Sequence, residues 1–172
     1  MRVVLLLSAL SALSAITTSS PMPRNASVAI PAFKDNSQPV DSPRGRHIPV
    51  AMMKCMGDKL DEMNYLTAKQ NMFDWSDDGG YVKAGSMHFE SYPNNYTGVT
   101  WYICNCKWWN DDRVPRWELD SVQRILEAKC GEWQSGWVWS KRWDKGFNVV
   151  PTKWFRHNLE HGGRICPPHC WR

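Results

Sequence analysis

An α+β fold is what the sequence predicts: a small disulfide-stapled domain in which a short antiparallel sheet is packed by one or two helices. Three observations carry that expectation. Six cysteines, Cys55, Cys104, Cys106, Cys130, Cys166 and Cys170, form an even set behind an N-terminal segment with the make-up of a secretory signal. The run Val99-Thr100-Trp101-Tyr102-Ile103-Cys104 has β-branched and aromatic residues at both parities, as a central strand packed on two faces requires. Trp117 to Lys129 sets Leu119, Val122, Ile125 and Leu126 on one helical stripe.

The elements follow in order along the chain. Met1 and Arg2, then Val3-Val4-Leu5-Leu6-Leu7 and the small residues from Ser8 to Ala15, give the three regions of a secretory signal, ending at Ala15, Thr17 or Ser19. The apolar stretch is interrupted by Ser and Thr well short of the roughly 20 residues a membrane anchor needs. Residues 20–46 are rich in Pro, Ser and Asn and read as a disordered leader, either an uncut arm or a pro-segment cleaved near Arg44 or Arg46. The globular part spans 47–172. Its first helix is expected over Gly57 to Met72, with Leu60, Met63 and Leu66 at three-residue spacing and Asp58, Asp61 and Glu62 near the start. A turn at Asp77-Asp78-Gly79-Gly80, extended pieces from Tyr81 to Phe89 and a turn at Pro93-Asn94-Asn95 precede the strand at Val99. The helix at Trp117 is introduced by Pro115 and closed by Cys130-Gly131. Trp137-Val138-Trp139 and Phe147-Asn148-Val149-Val150 read as two final strands, followed by an irregular, Cys-clamped tail.

Composition narrows the function classes. The chain has 172 residues, 42% hydrophobic and 22% charged, which excludes a wholly disordered, collagen-like or coiled-coil protein. Net charge is +4; once Arg2 and the leader's surplus of two positive charges are set aside, the part from His47 onward carries +1. That is not the basic clustering of a nucleic-acid binder, and no nucleic-acid or membrane partner is expected. Three disulfides are expected. Cys104 and Cys106, two apart on a strand, point the same way and should reach different partners. Cys166 and Cys170 could bridge each other or clamp the tail to the core. A competing zinc set would use His157, His161, Cys166, His169 and Cys170, but secreted thiols oxidise and no second Cys-x-x-Cys completes the spacing of a zinc module, so no metal and no cofactor is expected. Asn25 and Asn95 each head a glycosylation sequon.

Eleven tryptophans demand an account, and six of them, Trp133, Trp137, Trp139, Trp143, Trp154 and Trp171, lie in the last forty residues. Packing explains most, since indoles bury much area at little entropy cost. Trp108-Trp109 differs: adjacent residues on an extended segment face opposite ways, so at least one should be exposed. With Lys107 and Arg113 they supply the residue types that carry interface energy, on a loop bounded by Asn110-Asp111-Asp112 and Pro115. These four are the candidate partner-binding residues, with the Trp137 and Trp139 face as the fallback. Gly-x-Ser-x-Gly, His-Glu-x-x-His and a Gly-rich phosphate loop are all missing, and no catalytic residue is expected.

Two resemblances bear on function. Asp78-Gly79-Gly80-Tyr81-Val82 with Ser91-Tyr92-Pro93-Asn94-Asn95-Tyr96 resembles a stretch of secreted fungal guanyl-specific ribonucleases, and Asp112-Arg113-Val114 resembles that family's arginine site, but Asn94 stands where the catalytic histidine belongs. Tyr102-Ile103-Cys104-Asn105, Glu118-Leu119, Cys130-Gly131, Ser135-Gly136-Trp137, Trp143-Asp144-Lys145 and Ile165-Cys166 together resemble small cysteine-rich secreted proteins of ascomycete fungi, many of them candidate effectors. That resemblance implies a secreted, extracellular, non-enzymatic virulence protein that binds a host protein or other host macromolecule, with entry into host cells left open. A cell-wall glycan-binding module and a catalytically degenerate ribonuclease-like protein are the alternatives.

Overall fold

The computed structural model describes residues 46–170; the signal, most of the leader, Asn25 and Trp171 lie outside them. Five strands form one antiparallel sheet: β1 (Met52–Lys59), β2 (Ser86–Tyr92), β3 (Val99–Asn105), β4 (Gln134–Ser140) and β5 (Lys145–Pro151), in the order β1-β4-β5-β3-β2. Three helices accompany it: α1 (Glu62–Asp77), α2 (Arg116–Cys130) and α3 (Thr152–Glu160). The α+β class and the antiparallel sheet are as the sequence predicts. β3 is an interior strand with every residue buried, although β5 holds the middle of the sheet.

The two faces of the sheet are built differently. Alternate residues Val99, Trp101, Ile103, Val138, Phe147 and Val149 point to one face and form a core with Tyr65, Ala68 and Met72 of α1 and Leu119, Val122 and Leu126 of α2. Tyr102, Cys104, Trp139 and Val150 point to the other, where Phe155 of α3 and the tail residues Ile165, Cys166 and Cys170 pack on them. The first face is closed by two long helices and the second by one short helix and a tail.

Three expectations are corrected. The first helix does not span Gly57 to Met72: it starts at Glu62, where Asp61 caps it by accepting from Asn64 N at 2.9 Å, and runs to Asp77. Met63 of the expected stripe is 56% exposed; the buried stripe is Tyr65, Ala68, Lys69, Met72 and Phe73. Gly57 to Lys59 instead end β1, an edge strand bent by a bulge at which Gly57 takes φ +91°. The tail is also less irregular than expected, because α3 follows β5 directly from Pro151 and a short 3-10 turn, Pro168–Cys170, follows it.

The disulfides are Cys55–Cys130, Cys104–Cys166 and Cys106–Cys170, with no free cysteine among the described residues. Cys104 and Cys106 do reach different partners, and Cys166 and Cys170 clamp the tail to β3 rather than bridging each other. Cys55–Cys130 ties edge strand β1 to the end of α2 on the opposite face. None of the described helices is long and apolar enough to cross a membrane.

Candidate functional site

Two surfaces bring recognition chemistry together: the loop after β3 and a cleft on the less-covered face of the sheet. The loop is held by a polar scaffold. Asn105, at the end of β3, donates from Nδ2 to the carbonyls of Val82 and Asn110, each at 2.9 Å, and accepts from Lys107 N at 3.2 Å. Val82 and Asp112 exchange two backbone bonds of 2.9 Å, and Asp111 accepts from Ala84 N at 3.0 Å. Beneath them the buried Lys145 ammonium donates to Arg113 O and to Glu118 Oε2, both at 2.6 Å, and lies 3.6 Å from Asp112 Oδ2. Burial raises the Glu118 carboxyl above the usual carboxylate range, and Lys145 beside it pulls back the other way.

On this scaffold Trp108 is 59% and Trp109 88% exposed. Both indoles are therefore outside the core, more than the single exposed one the sequence required. The two cations behave differently from expectation: Lys107 is turned inward onto Asp112 Oδ2 at 2.7 Å, and Arg113 lies over the Tyr81 ring, donating from Nε to its hydroxyl at 3.0 Å. Tyr81, half exposed beneath Arg113, extends the surface and was not anticipated, because nothing local links residues 32 apart.

The cleft occupies about 750 Å³. Its floor is Trp139, Gly146, Asn148 and Tyr102; one wall is Met52, Lys54 and Met56 of β1, and the other is Trp154 of α3 with the tail from Arg164 to His169. Trp137 and Trp139 share this face, as their two-residue spacing requires. They do not share a role: Trp139 is 6% exposed and edge-on to His169 at 5.5 Å, whereas Trp137 is half-buried along the opening. The remaining C-terminal indoles within the described residues pack inward, Trp133 edge-on to Tyr65 at 5.3 Å and Trp143 edge-on to Trp117 at 5.9 Å. His169 is oriented by Asp144 Oδ1 at 3.0 Å.

The other candidates separate. Of the zinc set, Cys166 and Cys170 are joined to Cys104 and Cys106, so neither offers a thiolate. Cys106, His169 and Cys170 do cluster, but two of these three are bonded to each other. The ribonuclease-like residues lie apart: Asn94 follows the end of β2, opposite Val99, and Arg113 follows the far end of β3, roughly 20 Å away along a seven-residue strand. Asn94 is bonded through its side chain to Arg156 of α3. Asn95 of the second sequon is exposed, its Oδ1 accepting from Thr97 N at 2.9 Å and Thr97 Oγ1 at 2.7 Å.

Comparison with protein-family models, with curated proteins and with solved structures finds no match to this chain.

Proposed function

We propose that the protein is a secreted, non-enzymatic effector that binds a host macromolecule, in the first instance a host protein, and so promotes colonisation or suppresses host defence. The observation that supports this most is the exposed Trp108-Trp109 pair on a loop fixed by buried polar bonds and by the Cys106–Cys170 clamp at its root. Two adjacent indoles in water are unfavourable for an isolated domain, and covering about 200 Å² of indole is worth about 5 kcal/mol before the costs of association. A rigid loop loses little entropy on binding, so most of that is available to a partner.

Immobilised protein and its Trp108→Ala/Trp109→Ala variant, exposed to the same host extract, test the reading. Capture of a defined host protein by the parent and not by a variant with the same melting curve is the expected result. Equal capture by both sinks the assignment of the loop. Retention on insoluble chitin or cellulose, lost in the same variant, would instead assign the indoles to sugar rings and make the chain a wall-glycan module.

A further inference from the structure

We infer that the cleft on the less-covered face of the sheet is a binding site for a small, ring-bearing apolar molecule that carries an anionic group, its rings against Trp137 and Trp154 and its charge facing Lys54 and Arg164. This is separate from the loop reading and does not rest on it.

Size comes first. At about 750 Å³ the cleft falls within the 300 to 1,000 Å³ or so typical of small-molecule sites. The apolar and aromatic part of the lining includes Met52, Met56, Trp137, Trp139, Trp154 and Ile165. Indole faces favour flat partners in offset or edge-on contact at ring distances of about 4.5 to 7 Å, so rings suit this surface better than a saturated chain does.

Charge then selects among ring-bearing molecules. Among the described residues no Asp or Glu lines the cleft, while Lys54 and Arg164 do, from opposite walls. Both side chains are exposed and make no hydrogen bond or ion pair among the described residues. The one other described lining side chain with a cationic form, His169, is already held by Asp144. Two cations facing an apolar floor favour an anion whose remainder is apolar over a neutral or cationic ligand of the same shape.

The site is also preformed. Cys55–Cys130 anchors the β1 wall, and Cys104–Cys166 and Cys106–Cys170 anchor the tail wall to β3. The floor is kept open at Gly146: a Cβ there would stand 3.0 Å from Trp139 Cε3, so a side chain would push the Trp139 ring up into the cleft. Walls fixed in advance lower the ordering cost of binding.

The test uses two fluorescent probes with the same kind of aromatic frame, the anionic 1-anilinonaphthalene-8-sulfonate and the neutral N-phenyl-1-naphthylamine, on the disulfide-intact protein below its melting transition. The sulfonate is expected to bind at one site per chain about tenfold more tightly than the neutral probe. Lys54→Gln and Arg164→Gln should each weaken the sulfonate about threefold or more and leave the neutral probe unchanged, while Trp137→Ala should weaken both. Equal affinity for the two probes, or sulfonate binding indifferent to both cation changes, overturns the inference. Displacement of either probe by a neutral chito-oligosaccharide, with no dependence on Arg164, overturns it in favour of a glycan.

Discussion

The two faces of the sheet are made from the same residue types and do different work. On the helix-covered face Trp101 is fully buried, edge-on to Tyr65 at 5.1 Å, and its Nε1 donates to Tyr65 O at 3.3 Å. On the other face Trp137 lines a cleft and is only partly buried. What separates them is the covering element. α1 and α2 are sixteen and fifteen residues long and lie over the sheet, whereas α3 has nine and covers only part of its side. A strand residue is structural or available for binding according to what the chain lays over it, not according to its own side chain.

The largest expected effect tests that contrast directly. Trp101→Ala should cost about 5 kcal/mol, the upper end for a fully buried aromatic, because the cavity falls between α1 and the sheet and removes one of the two rings packed on Tyr65. Trp137→Ala should cost less, about 2 to 3 kcal/mol, since its ring is only partly buried. Urea titrations of the two single variants measure both; comparable losses would erase the distinction between the faces. The next effect sharpens it. Replacing Cys106 and Cys170 together by Ser leaves Cys104–Cys166 closing almost the same loop, so it releases only the short segment beyond that bridge and should cost about 2 kcal/mol by chain entropy. The same change frees the end of the tail wall beyond Cys166, around His169, so at temperatures where the variant stays folded it should bind the anionic naphthalene probe more weakly while keeping its far-ultraviolet circular dichroism. Undiminished binding would show that the wall stands without its clamp.

Parts of this arrangement were legible in the sequence. β3 and α2 announce themselves because their burial is carried by apolar types: every β3 position is buried, and Leu119, Val122 and Leu126 repeat with the helical period. α1 was misplaced because its buried stripe includes Ala68 and Lys69, while the apolar Met63 faces solvent. Lys69 is buried because its ammonium reaches Asp120 and Gln123 of α2, each at 2.6 Å, a pairing across 51 and 54 residues that no local pattern carries. β1 was missed because Met52–Lys59 is poor in β-branched residues, and α3 because it buries only Thr152 and Phe155. The exposed indole loop was readable from adjacency alone. The cleft was not, since it is assembled from β1, β4, β5, α3 and the tail.

The smallest effect concerns protons, and it belongs to the helix-covered face. His88 of edge strand β2 stacks on Trp75 of α1 at 3.6 Å between ring centroids and 9° between planes, with Nε2 2.9 Å from Glu90 Oε1. Burial lowers the imidazole below the ordinary histidine range; the hydrogen bond and charge of Glu90 oppose that and only partly offset it. The sign follows from linkage. Between the folded-state value and the unfolded value of about 6.5, the unfolded chain holds a proton that the folded chain does not, so stability rises with pH across that window. This contribution is present above pH 6.5 and is lost as pH falls through the window. His88→Gln removes the titration while keeping a polar group opposite Glu90, so the difference in unfolding free energy between parent and variant should shift in the variant's favour as pH drops from 7 to 5. Denaturant titrations at several pH values measure that difference. A difference that stays constant would mean that Glu90 cancels the effect of burial, and one that moves toward the parent on acidification that Glu90 outweighs it and holds the proton on His88; either overturns the lowered value.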